Sequence, residues 1–211
     1  MNTRPKTTVY MIRHAESIYI EGAERERGLT DKGSEDARLI RELLLGARID
    51  AFVSSPYRRA IDTISPLAEA AGKEIAIEED LRERQASATG FGKDAFMEAK
   101  RKLFDNPGFA YPGGESSIEA QERACRSLSR LIGQYRGQSL AVGTHGDIMT
   151  LMLNRYDSRF DYTFWTGTTM PDVYRLQFVD AGTLADVTRL WPQGPSCHLP
   201  KPLREADNAD G

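Results

Sequence analysis

Apolar and polar positions along this chain change period several times, and each change marks an element. Residues 7–12 (TTVYMI) are β-branched and apolar enough for a buried strand, and residues 49–55 (IDAFVSS) and 139–145 (SLAVGTH) read the same way. Helical spacing follows each of them. After the first, a polar loop over 18–29 leads into LTDKGSEDARLIRELLLG, where Thr30 is a natural N-cap, Ala37, Ile40, Leu43 and Leu44 share a face, and Gly46 is a stop. After the second, Pro56 stands where a first helical turn accepts proline, and Ala60, Ile61, Ile64, Leu67 and Ala68 continue at helical period. Pro66 is expected to kink or end that helix, because it has no N–H to give the preceding turn. After the third, GDIMTLMLN is apolar on most sides and reads as a buried helix.

A long insertion separates the second and third units. It holds a short strand over 74–78, a charged turn EEDLRERQ, a glycine-interrupted loop SATGFG, a helix over 93–104 and a loop DNPGFAYPGGE. Ser116 with Glu119 three residues on forms a capping box that opens a helix running to about Tyr135. Residues 172–179 (DVYRLQFV) and 184–191 (LADVTRLW) alternate as paired strands. Strands alternating with helices predict an α/β fold of three layers, α/β/α, around a largely parallel central sheet. The organisation expected is a single catalytic domain over 1–191 with a lid insertion at about 84–116, followed by a disordered, Pro-rich and polar tail over 192–211.

In such sheets ligands bind outside the carboxyl ends of the strands. Arg13 and His14 follow the first strand, Arg58 and Arg59 follow the second, and His145 follows the third, so three distant segments deliver two of the chain's three histidines to one sheet edge. Guanidinium forks donate paired, charge-assisted hydrogen bonds to tetrahedral oxyanions, which makes a phosphate group the natural guest. The same cations lower an imidazole's pKa and keep a ring nitrogen free as a nucleophile near neutral pH. A leaving alkoxide also needs a proton, and Glu79, Asp80 and Glu83 in the charged turn are its candidate sources. Taken singly, each piece has an ordinary structural reading: a capping Arg-His pair, a solvated helix face, a turn histidine, a charged surface loop. Their meeting at three strand ends is what points to chemistry.

Charge and cysteines narrow the classes. With 28 basic and 31 acidic residues the net charge is −3, so no overall field favours nucleic acid or an anionic membrane, and anion binding must be local. Cys125 and Cys197 lack metal-ligand spacing and suggest no disulfide framework; neither a metal nor another cofactor is implied. The apolar run near the N-terminus is too short for a secretory segment or a membrane span, so a soluble cytoplasmic protein is expected.

Five motifs in order, RHAES at 13–17, LTDKG at 29–33, SSPYRRAIDT at 54–63, LRER at 81–84 and GTHGD at 143–147, resemble those of the histidine phosphatase superfamily, the phosphoglycerate mutase-like clan. The resemblance implies that His14 is the nucleophile that becomes phosphohistidine and that Arg13 lies in the phosphate pocket. It also implies that Arg59, immediately before the Ala of the RA pair, is the second pocket arginine in preference to Arg58. His145 then contacts the phosphate and Glu83 donates the proton. Two departures stand out: Ala15 replaces the family's usual Gly, and Ile20 stands where the mutase pattern has a phosphate-contacting Asn, a contact for which Ser17 is a substitute. Glu16 is expected to be a structural partner of backbone or arginine.

A mutase holds its phosphoenzyme away from water, whereas a phosphatase admits water. The family's mutases carry a longer lid with clustered arginines. Here Lys93, Lys100, Arg101 and Lys102 sit on one helix-like stretch and are expected to face solvent, so hydrolysis of a small phosphomonoester with release of inorganic phosphate is preferred over mutase transfer or non-catalytic phospho-ligand binding. The loop YPGGES (111–116) resembles a substrate-side loop, with Glu115 and Ser116 as candidate contacts, although a simple loop and N-cap explains it equally. The aromatic group Phe160, Tyr162, Phe164 and Trp165 is open to two readings, core packing or the contact of a homodimer.

Overall fold

Strand β1 (Thr7–Arg13) occupies the interior of a six-stranded sheet because nearly every side chain on it has a packed layer to enter. The structure, a computed structural model, describes residues 6–20, 22–180 and 182–192. The remaining elements are α1 (Asp31–Leu44), β2 (Ala51–Ser54), α2 (Arg58–Ala70), β3 (Ile75–Ile77), a short 3₁₀ turn (Glu79–Leu81), α3 (Lys93–Asp105), α4 (Ser117–Gln134), β4 (Ser139–Thr144), α5 (Gly146–Asn154), α6 (Tyr162–Thr166), β5 (Asp172–Asp180) and β6 (Thr183–Arg189). Sheet order is β3-β2-β4-β1-β5-β6. The first four strands of that order pair in parallel, and β5 and β6 join antiparallel, which gives the expected largely parallel sheet.

Period-two alternation along the strands builds the two faces. Val9 and Met11, Val53, Leu140 and Val142 pack with α4 and α5, whereas Ile12, Phe52 and Ala141 pack with α1 and α2 around Ile40, Leu44, Ile64 and Leu67. Each of these side chains larger than alanine contributes roughly 1.5–3 kcal/mol when removed from water. Helix starts follow the local chemistry: the Thr30 hydroxyl accepts from the Gly33 amide at 3.0 Å, and Ser116 and Glu119 form the full capping box.

Three expectations change. Helix α2 runs through Pro66 to Ala70 with Tyr57 as its N-cap, leaving Pro56 outside; its buried face of Ala60, Ile64, Leu67 and Ala68 holds the helical path that a proline alone would interrupt. Strand β6 ends at Arg189, and Trp191 turns back to bury itself in the α1–α2 cluster. Lys100 does not face solvent: it is 5% exposed and ion-paired to Asp147, while Arg101 and Lys102 on the same helix are exposed. The side chain of Lys93 and the tail beyond Pro192, with Cys197, lie outside the described residues. Phe160 and Phe164 are core, and Tyr162 and Trp165 pack on Phe104 of α3. Among the described residues no helix is long and apolar enough to cross a membrane.

Candidate active site

Strand register brings the chemistry together. Arg13 of β1 is level with Thr144 of β4, so the next residues, His14 and His145, emerge side by side, and the His14 amide donates to the Thr144 carbonyl at 2.9 Å. Ser54 of β2 is level with Gly143 of β4, which sets Ser55 and the start of α2 against the same point. The two imidazole rings lie 5.2 Å apart, edge to face.

His14 is 6% exposed and its Nδ1 stands 2.7 Å from the Ala15 carbonyl oxygen. A carbonyl can only accept, so Nδ1 carries the proton and Nε2 keeps its lone pair. The Ala15 amide is itself held by the Thr63 hydroxyl at 2.9 Å. Burial first, then the charges of Arg59, Arg13 and Arg27, holds the His14 pKa well below its ordinary value, against the opposing pull of the Ala15 carbonyl. His145 is fully buried and is likewise well lowered, by burial, then by His14, Arg59, Arg13 and Arg27. Its Nε2 meets the Ser55 hydroxyl at 2.8 Å. Ser55 accepts from the Tyr57 amide at 3.3 Å and its hydroxyl can give its own proton to His145 Nε2, the arrangement in which the ring's proton stands on Nδ1.

Arg13 lies directly beneath Gly146. A Cβ at position 146 would stand 2.6 Å from the guanidinium carbon, so glycine is required for this approach. One Arg13 terminal nitrogen donates to the Thr168 hydroxyl at 2.5 Å. Arg59, 2% exposed, donates to the Glu24 carbonyl at 2.6 Å and stacks 4.8 Å from the centre of the Tyr57 ring. Burial above all, and Arg27 after it, brings the Arg59 pKa down to about 10. Among the described residues, the buried Nε atoms of Arg13, Arg27 and Arg59 and the buried Nδ1 of His145 have no hydrogen-bond partner. The charges of all three arginines act on the His14 ring, and unpartnered N–H groups of this kind are what an oxyanion satisfies.

Glu83 faces the same volume. Its charge acts on both Arg13 and Arg59, and its carboxylate accepts from the amides of Arg84 at 2.9 Å, Ile148 at 3.0 Å and Asp147 at 3.3 Å. Glu79 instead pairs with Arg25 on the surface, and Asp80 lies 3.6 Å from Arg82.

The other sequence candidates lie elsewhere. Arg58 is directed outward to Asp62, with its side chain 66% exposed. Glu115 is gripped by Nε and Nη2 of Arg123 and by Arg82, and Ser116 caps α4, so both serve the structure around the start of that helix. Ser17, three residues after His14, pairs through its backbone with Leu29. Glu16 accepts from Thr30 by side chain and backbone, a structural role but not with an arginine. Arg27, Ser55 and Thr168 escaped the sequence reading. Arg27 is one of four charges in ERER and Thr168 one of three threonines in TGTT, so no period or turn signal separates them from surface residues. Among the described residues no group of three or more His, Cys, Asp or Glu side chains is placed to hold a metal ion.

Comparison with known proteins bears on the family and the fold. A phosphoglycerate mutase-like protein 4 of Arabidopsis thaliana is 28% identical over 166 residues, 70% of this chain and 70% of that protein. A glucosyl-3-phosphoglycerate phosphatase of Mycolicibacterium vanbaalenii is 29% identical over 133 residues, 59% of each chain. The solved structure of a mycobacterial glucosyl-3-phosphoglycerate phosphatase superposes with a TM-score of 0.69 at 18% identity, covering 87% of this chain and 97% of that one, and so shows a shared fold. The family model described as the histidine phosphatase superfamily, branch 1, matches residues 9–182, and this chain belongs to that superfamily.

Proposed function

We propose that the protein is a metal-independent phosphomonoester hydrolase that works through a phosphohistidine on His14. The observation that carries this reading is the tautomer: the Ala15 carbonyl fixes the His14 proton on Nδ1, and burial beside three arginines keeps Nε2 unprotonated. Nε2 attacks phosphorus while the bond to the ester oxygen breaks. Arg13, Arg59, Arg27 and His145 donate to the three non-bridging oxygens, where charge is greatest, and Glu83 gives its proton to the departing alkoxide. The Ala15 carbonyl stabilises the ring as it becomes cationic. In the second half, water attacks the phosphoryl group, Glu83 takes the proton, the P–N bond breaks, and inorganic phosphate leaves.

Hydrolysis is favoured over mutase transfer by the lid. Among its described residues Arg84 and Lys100 are committed to Asp147, Arg101 lies 3.5 Å from Asp105 and Lys102 sits over the Phe109 ring, so the lid offers few cations to hold a second phosphate or carboxylate. A small-molecule phosphomonoester is the substrate class that fits.

The test uses radiolabelled ester quenched in alkali. Label that survives base, is lost in acid and is missing from His14→Ala is expected. Activity persisting in His14→Ala, or label on another residue, would remove the reading. Phosphoryl exchange between substrate positions faster than phosphate release would turn the assignment to a mutase.

A further inference from the structure

Asp147 is 1% exposed and holds two cations, Arg84 at 3% and Lys100 at 5%. Both of its oxygens meet the Arg84 fork, Nε to Oδ2 at 3.0 Å and Nη2 to Oδ1 at 2.9 Å, and Lys100 Nζ donates to Oδ2. Arg84 also donates to the Ser117 hydroxyl at 2.6 Å, and that hydroxyl donates to the Leu103 carbonyl at 2.6 Å. Burial opposes the charge on Asp147, yet the two cations hold its pKa below the ordinary value.

Two features set this cluster apart from a stabilising ion pair. One carboxylate would neutralise Arg84 alone, so Lys100 adds a second buried cation whose desolvation nothing in the pair requires. The cluster also bears directly on Glu83. The amides that carry the Glu83 carboxylate belong to residues 84, 147 and 148, and the Arg84–Asp147 fork is the side-chain bridge between those two stretches of backbone. A planar bidentate bridge fixes orientation as well as distance. Lys100 comes from α3, in the middle of the lid, and ties that helix to the same oxygen.

We infer that Arg84, Asp147 and Lys100 are positioning residues for proton donation by Glu83, and that Lys100 makes the donor's placement depend on the seating of lid helix α3. This rests on the assignment of Glu83 as proton donor. Removing Lys100 then leaves phosphate binding and nucleophilic attack intact and impairs transfer to the leaving group.

The experiment compares kcat/KM, which reports the steps up to departure of the leaving group and not the later attack of water, for a simple alkyl phosphate and for a nitrophenyl phosphate, whose leaving group needs no proton, in wild type, Glu83→Gln, Lys100→Met, Lys100→Arg and Arg84→Lys. General acid catalysis is worth roughly 10²- to 10⁴-fold. Lys100→Met is expected to forfeit about a tenfold part of that on the alkyl ester, with a much smaller loss on the nitrophenyl ester. Lys100→Arg is expected to recover most of the alkyl activity. Equal loss on both esters in Lys100→Met, with Glu83→Gln still selective, overturns the inference alone and leaves the cluster a folding element. Equal loss on both esters in Glu83→Gln removes the donor assignment and the inference with it. Should Lys100→Met fail to fold, Arg84→Lys, which keeps the charge and gives up the fork, decides by the same ratio.

Discussion

Burying two neutral histidines against one another has a consequence for stability that is separate from catalysis. His14 and His145 are 6% and 0% exposed, and both have folded-state pKa values well below 6.5. The unfolded chain protonates them near that value, whereas the folded chain does not. Below pH 6.5 the unfolded state therefore binds more protons, and stability that is fully present above 6.5 is lost as pH falls. For one histidine that stays neutral when folded, the loss between pH 7.5 and 5.5 is RT ln(11/1.1), about 1 kcal/mol or a little more; for the pair it is up to about 3 kcal/mol. Asp147 and Glu115, held below their ordinary values, make most of their contribution at lower pH. The assay is urea unfolding at the two pH values in a phosphate-free buffer, since a bound anion would add its own stabilisation. Wild type is expected to lose up to about 3 kcal/mol across the window, His14→Asn and His145→Asn each about half of that, and the double variant little. A wild-type stability that is flat across the window, or a double variant that keeps the full loss, would refute the burial argument.

Two further predictions concern the pocket. Arg59→Ala should lower kcat/KM roughly 10²-fold, about 3 kcal/mol, by analogy with the loss of an oxyanion donor, while Arg58→Ala on the outer face of α2 should be near neutral; similar losses for both would contradict the inward role of Arg59. Gly146→Ala sets a Cβ 2.6 Å from the Arg13 guanidinium carbon and must displace it, and a shift of about 1 Å in a positioned group costs on the order of 10²-fold in kcat/KM. Unchanged kinetics in that variant would show that Arg13 does not act from its observed place.

How much of this was readable from residues alone depends on the range of the forces involved. Strand and helix identity, the Thr30 cap, the Ser116–Glu119 box and the meeting of Arg13, His14, Arg59 and His145 were legible, because side-chain period, turn chemistry and the strand-end rule for α/β sheets act within a few residues or one topology. The continuation of α2 through Pro66, the burial of Lys100 and the engagement of Glu115 by Arg82 and Arg123 were not. A lysine in AKRKLF carries the same local signal whether it meets water or a carboxylate. Which one it meets is decided when α3 packs against α6 and presents Lys100 to Asp147 of α5, residues 47 positions apart in the chain. The sequence by itself determined the elements and the edge at which the chemistry gathers. Only tertiary packing decided which charges gather around His14 and which are drawn into pairs away from it, because a charge pairs with whatever the fold brings within hydrogen-bond reach.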